Sequence, residues 1–255
     1  MRLIAQLYTP PNTATAVPPG RAVVAVARWM AEPLLSFVIP VLNESAHLAV
    51  SLASLRRDFP AAEIVVVDGG SSDASVELAK PHCDHLLQTK AGRALQMNAG
   101  AGAARGRYLA FLHSDTQLTC TASQLNSALA TAPLWGFFRV RLDTNDRLLR
   151  LVSWCMNQRS RITRVATGDQ LLFVEAQLFR QVKGFPAIAL MEDVAFSKCL
   201  RQQGAPHIIA TPVITSPRRW LQHGRWSTIM TMWRLRLAYW LGVDPARLAR
   251  QYYGR

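Results

Sequence analysis

From Pro33 onward, short apolar runs alternate with stretches in which apolar residues recur every three or four positions. That alternation predicts an α/β domain on a largely parallel sheet. Residues 34–39 read as a first strand, and Leu48, Leu52, Leu55 and Phe59 then line one stripe of a helix. Residues 63–67 are a near-continuous apolar run of the kind buried on both faces of a sheet, ending at Asp68. Gly69-Gly70-Ser71-Ser72-Asp73 combines backbone freedom with N-cap chemistry, which predicts a turn and a helix from Ala74. A weaker strand over 85–87, an alanine-rich helix over 92–105 and a strong strand over 107–112 follow, the last running into His113-Ser114-Asp115.

The second half is less regular. Strands are expected over 136–142 and 170–174, and helices over 147–157, 176–182, 192–203 and 226–241. In the last helix Trp226, Met230, Trp233, Leu237 and Trp240 recur at spacings of three and four. Such a stripe serves either to pack on a core or to lie on a membrane interface; packing on the domain is the expectation. No internal repeat is visible.

Composition narrows the class. A chain of 255 residues, 50% hydrophobic, can bury one substantial core. The expected layout is a flexible extension over 1–33, a catalytic domain over 34–215, and a basic, tryptophan-rich helical segment over 216–255. The net charge of +13 attracts anions, and the last segment holds eight arginines against the single acid Asp244. Cys83, Cys120, Cys155 and Cys199 are scattered without a CxxC pair, so reduced, mostly buried thiols are expected rather than disulfides or structural zinc. No run reaches the roughly 18 residues of a membrane span, and the apolar run 22–27 is too short and too late for a secretory signal. The expected location is therefore cytoplasmic, with peripheral contact at the inner membrane face through the C-terminal helix as the one membrane reading.

The polar clusters fall at strand ends, where ligands sit in open α/β sheets. Pro40 ends the first strand, and Asn43 and Glu44 supply an amide and a carboxylate at its tip, unless they only cap the next helix. Asp68, followed by Gly69, offers a carboxylate to a base or ribose, or merely forms the turn. Arg93 opens a helix whose positive dipole end suits a phosphate; otherwise it is a surface arginine. Gly100, Gly102 and Gly106 are misspaced for a dinucleotide fingerprint and follow a helical run rather than a strand, so that reading is rejected. Asp115 emerges from a hydrophobic strand where it would hold magnesium or manganese with donor phosphate oxygens, or it caps the following turn. Glu192 and Asp193 start a helix, either complementing its dipole or supplying a general base. Gly168, Asp169 and Gln170 would present a carboxylate and an amide to an acceptor.

Taken in this order, from about Leu34 to beyond Gln203, these segments resemble the inverting glycosyltransferases of family 2. The resemblance implies a GT-A fold, a Rossmann-like α/β architecture with a mostly parallel central sheet and C-terminal helices. It also implies donor contacts from Pro40, Asn43, Glu44, Asp68, Gly69 and Ser114, phosphate contact from Arg93, a Mg2+ or Mn2+ ion on Asp115, and Asp193, beside Glu192, as base. His113-Ser114-Asp115 stands where the family has DXD, so its first acid is a histidine here; His113 and His223 are the candidate further metal ligands. The implied reaction moves a sugar from a nucleotide-sugar donor, UDP-linked by family habit, to a small-metabolite or lipid-linked acceptor with inversion. Gly92–Asn98, Phe111–Thr116, Gly168–Gln170 and Leu190–Asp193 are similar to a bacterial subgroup associated with arsenosugar biosynthesis and radical-SAM enzymes. The competing readings are a nucleotidyltransferase on a similar scaffold, which would carry a Gly-rich basic loop where Asn43-Glu44 stands, and a basic membrane-surface or nucleic-acid-binding protein. Nucleic acid is not the expected partner.

Overall fold

The computed structural model describes residues 32–254, and the expected extension over 1–33 lies outside them apart from its last two residues. Strands β1 (Leu35–Val41), β2 (Glu63–Asp68), β3 (His85–Gln88) and β4 (Tyr108–Phe111) are connected through helices α1 (Leu48–Asp58), α2 (Ser75–Ala79) and α3 (Arg93–Ala103). They pair in parallel in the order β3-β2-β1-β4. The chain continues through β5 (Thr116–Leu118), α4 (Ala122–Ala130), β6 (Trp135–Leu142), α5 (Arg147–Thr163), β7 (Leu172–Glu175), α6 (Ala176–Gln181) and α7 (Glu192–Gln203). It ends in β8 (His207–Thr215), α8 (Arg218–Gln222), α9 (Arg225–Trp240) and α10 (Pro245–Tyr253). Strand β7 runs antiparallel between β4 and β6, β8 joins β6 in parallel, and β5 closes the edge antiparallel to β8. The mostly parallel sheet is therefore an eight-stranded one with an antiparallel insertion.

The period-two geometry of β1 divides the core into two layers. Phe37, Ile39 and Val41 pack with the α1 stripe Leu48, Leu52, Leu55 and with Phe59, whereas Val38 faces Ala94 and Met97 of α3. Each such side chain contributes about 1.5–3 kcal/mol on leaving water. Helix α3 approaches β1 and β2 closely because residue 100 is glycine: a Cβ there would lie 2.5 Å from Val38 Cγ1 and 2.8 Å from Val67 Cγ2. The glycine that loosely suggested a nucleotide fingerprint is thus a packing glycine. Buried Glu63 is satisfied by Ser36 Oγ, by the Arg105 backbone N–H at 2.7 Å and by Arg105 Nε at 2.9 Å, which explains a carboxylate at the head of an apolar strand.

Several expectations change. The strand expected over 170–174 begins only at Leu172, since Gly168–Gln170 forms a 3₁₀ turn. Helix α5 runs on to Thr163, and β5, α4, β8, α8 and α10 had no counterpart in the sequence pattern. The four cysteines are free, but only Cys120 is buried; Cys155 is exposed and the other two are half-buried. The tryptophan stripe does not pack on the domain: Trp226, Met230, Trp233, Leu237 and Trp240 are all exposed, and α9 packs through its opposite face. No helix among the described residues is long and apolar enough to cross a membrane.

Candidate active site

The C-terminal ends of the adjacent parallel strands β1, β2 and β4 share one edge of the sheet, the place of the ligand crevice in open α/β sheets, and a set of fixed turns forms its first wall. Gln96, at 3% exposure, donates from Nε2 to the carbonyls of Val41 (2.9 Å) and Val67 (2.8 Å), locking the two strand ends together. Pro40 lies just before, opposite Val67, and the Gly69 N–H donates to Val41 O at 2.8 Å. Asn43 adopts φ 55° and its Oδ1 accepts the Ser72 N–H at 2.9 Å. Asp68 is 1% exposed, with its carboxylate spent on the N–H groups of Gly70 and Ser71. Both side chains expected on the nucleoside therefore shape the turn that faces the crevice. Glu44 accepts from Arg218 Nη2 at 3.3 Å, tying α8 to the tip of β1.

The far side of the crevice is acidic and enclosed. Asp193 Oδ2 accepts the Gly168 N–H at 2.7 Å, and its Oδ1 accepts the Val194 N–H at 2.7 Å. Gly168 must be glycine: an added Cβ would lie 2.7 Å from His113 Cε1 and Nε2 and 3.7 Å from Asp193 Oδ2. The His113 ring thus covers Gly168, and its Nδ1 stands 3.6 Å from Asp169 Oδ1. Met97, Phe111, His113, Gly168, Glu192 and Asp193 line a narrow cavity at this point. Gln170 does not join it. Its fully buried amide is held by Ser160 Oγ at 2.6 Å and Thr167 N at 3.1 Å, which fixes the turn that carries Gly168 and Asp169. Non-glycine residues in left-handed backbone sit beside three of these clusters, at Asn43, Leu171 and Met191.

Electrostatics follow from this enclosure. Burial, reinforced by the Asp193 charge, pushes the Glu192 carboxyl up to about 7. Asp193 is also raised, burial outweighing its two backbone N–H donors, and Asp169 is raised by burial against the pull of Arg93, Arg159 and Arg219. His113 is lowered to about 4 by burial and by Arg93, so its ring is neutral near pH 7. Arg93 opens α3 on the solvent-accessible side, with Tyr253, Glu192, Tyr252 and Asp169 as its electrostatic neighbours. The sequence pattern missed Arg159, Arg219 and Tyr252. Arg219 stacks 3.6 Å from the Tyr252 ring centre, so the last helices reach this wall. An arginine on an amphipathic helix or in a basic tail carries no mark that distinguishes it from a solvated one.

Asp115 stands at the base of the crevice, half-buried beside Ser114. Its backbone carbonyl accepts the Ser216 N–H at 3.3 Å, and its Oδ1 receives only a long contact, 3.5 Å, from Thr116 Oγ1. No three His, Cys, Asp or Glu side chains come together to hold a metal among the described residues. A single hard carboxylate suits Mg2+ or Mn2+ when phosphate oxygens and water complete the shell. His113 lies with Gly168 and Asp169, and His223 is an exposed cap of α8.

Comparison with known proteins covers this crevice. Residues 36–124 match the family model described as Glycosyl transferase family 2, which takes in Pro40 through Asp115 but not Gly168–Gln170, Glu192–Asp193 or His223. An uncharacterized glycosyltransferase of Escherichia coli K12, YibD, is 35% identical over 91 residues, 33% of this chain and 26% of its own length. A PGL/p-HBAD biosynthesis glycosyltransferase of Mycobacterium bovis is 37% identical over 100 residues, 35% of this chain and 38% of its own. The chain thus spans well under half the length of these relatives. Among solved structures, S. aureus TarS in complex with UDP superposes with a TM-score of 0.59 at 17% identity, covering 78% of this chain and 65% of that one. The mannosyltransferase PcManGT from Pyrobaculum calidifontis, in complex with GDP-Man and Mn2+, gives 0.58 at 19% identity, covering 86% and 68%. The chain has the GT-A fold. The family match takes in the first four strands and Asp115 and ends before Gly168 and Asp193.

Proposed function

We propose that the chain is a glycosyltransferase that moves a sugar from a nucleotide-sugar donor, a UDP-sugar first among them, onto an acceptor hydroxyl with inversion. One chain of contacts carries the reading: His113, two residues before Asp115, packs on Gly168, whose N–H binds Asp193. This joins a strand-end carboxylate suited to a cation to the adjacent carboxylates of buried Glu192 and half-buried Asp193, suited to proton transfer. In the proposed reaction Asp193 takes the acceptor proton while the acceptor oxygen bonds to the anomeric carbon and the bond to the diphosphate breaks. Arg93 and the N-terminus of α3 receive the diphosphate. Pro40, Asn43, Glu44, Asp68, Gly69 and Ser114 form the nucleoside wall, through the turn backbone more than through the engaged side chains.

Asp115 would hold Mg2+ or Mn2+, which when bound neutralises charge on the departing diphosphate. His113 and Asp169 border the acceptor. The UDP bound by TarS and the GDP-Man and Mn2+ bound by PcManGT are the ligands of those proteins and support the same class of donor here. A small metabolite or a lipid-linked molecule is the proposed acceptor, and the arsenosugar-related subgroup rests on the four motif variants alone.

The test incubates the protein with UDP-glucose, UDP-N-acetylglucosamine and GDP-mannose in the presence of Mn2+, without acceptor. Slow release of UDP or GDP by transfer to water is expected. Pyrophosphate release from a nucleoside triphosphate and a sugar phosphate, with no nucleoside diphosphate from any donor, would instead establish nucleotidyl transfer.

A further inference from the structure

Helix α9 has two apolar faces of different fate. Leu235 and Thr228 point inward, and Leu235 packs with Val165, Leu190, Met191, Val194, Leu248 and Ala249. On the opposite side Trp226, Met230, Trp233, Leu237 and Trp240 are 68%, 64%, 73%, 56% and 74% exposed. At 3.6 residues per turn these five fall within about 100° of arc, and Arg234 and Arg236 lie on either side of that arc. Indole rings and aliphatic tips in a narrow stripe, bordered by guanidinium groups, match the boundary between acyl chains and headgroups.

We propose that the outer face of α9 docks the protein on an anionic lipid bilayer. Charge decides the occupant. Arg218 and Arg225 of the basic segment 216–255 are paired with Glu44 and Asp146, but Arg234 and Arg236 border the strip and α9 holds no acid, so the helix faces an anionic surface with attraction on both flanks. A second copy would bring Arg234 and Arg236 against their own counterparts across a two-fold interface, opposing like charges around the apolar strip. The inner face of α9 touches Met191 and Val194, the residues flanking Glu192-Asp193. Docking therefore puts the acidic wall of the crevice about one helix diameter, ~10 Å, from the headgroups. The docking does not depend on the transferase reading, because it is measured without nucleotide.

The test is co-sedimentation of the full chain with phosphatidylcholine vesicles, with and without phosphatidylglycerol, followed by tryptophan emission. Wild-type protein is expected to bind the phosphatidylglycerol vesicles with a blue-shifted emission and to leave neutral vesicles in the supernatant. Trp233→Glu, at an exposed position that leaves the fold intact, is expected to weaken binding at least ~10-fold. Arg234→Gln is expected to weaken it about fivefold, and more at low than at high salt. UDP-dependent thermal stabilisation of both variants should equal that of wild type, so a failure of docking and a failure of the donor site are read separately. Absence of binding to anionic vesicles, binding unaffected by Trp233→Glu, or a wild-type dimer that Trp233→Glu dissociates would each overturn the proposal.

Discussion

Asp193→Asn is expected to lower kcat by about 10²–10⁴-fold while leaving the dissociation constant for the nucleoside diphosphate within about twofold of wild type. The substitution is nearly isosteric. The amide oxygen can still accept the Gly168 N–H that Asp193 Oδ2 holds at 2.7 Å, which keeps the turn under His113, while the Val194 N–H loses the acceptor that Oδ1 gives it. What disappears is a carboxylate that burial has made more basic than an exposed aspartate. A base of that kind, beside the proposed acceptor, suits the removal of a hydroxyl proton as the C–O bond forms. Steady-state turnover measured beside calorimetric donor binding separates this role from a structural one. If affinity and turnover fall together, Asp193 holds the site rather than acting in it.

Glu192→Gln is expected to stabilise the fold above neutrality and to leave the acid limb of the pH–rate profile in place. Glu192 is 6% exposed and its carboxyl is raised from 4.5 to about 7, first by burial and then by Asp193. A carboxyl raised in the folded state contributes its stability below its ordinary value and loses it as pH rises through about 7. At pH 8 wild-type protein therefore carries an unfavourable buried charge beside a second one, and the neutral amide removes it. The gain is up to about 3 kcal/mol at pH 8 and shrinks toward zero near pH 4. Below about pH 7 Glu192 is already uncharged in the wild type, so the amide leaves the ionisation of Asp193, and with it the acid limb of the pH–rate profile, where it is. Melting temperature and kcat, each followed from pH 5 to 9, check the two halves, and a variant less stable than wild type at pH 8 contradicts the electrostatic account.

The half of the fold built on β1 to β4 was legible because β1, β2 and β4 are largely apolar runs and the helix between β1 and β2 has one apolar stripe. That regularity fixes strand ends, and so it placed Pro40, Asp68 and Asp115 at one edge. It failed after Asp115 for physical reasons. Strand β5 has three residues, too few for any period, and β8 carries Pro212 and an irregular register against Phe138 and Arg139 of β6. The turn Gly168–Gln170 looked like a strand start because Gln170 is followed by apolar residues, yet its amide is needed inside to hold Thr167 and Ser160. Spacing located the stripe on α9 correctly but does not encode which side faces the domain. Leu235 and its neighbours took the inner face because Val165, Leu190 and Met191 offered it an apolar seat.

The most direct test of the account is the melting temperature of the purified protein with UDP, GDP, CMP and dTDP, each with and without Mn2+, repeated on Asp115→Ala for the strongest ligand. The account predicts that one nucleoside diphosphate raises the melting temperature, by about 3 kcal/mol of stabilisation at a hundredfold excess over its dissociation constant, only when Mn2+ is present and Asp115 is intact. A shift that survives both the omission of Mn2+ and the loss of Asp115, or no shift with any nucleoside diphosphate, would contradict it.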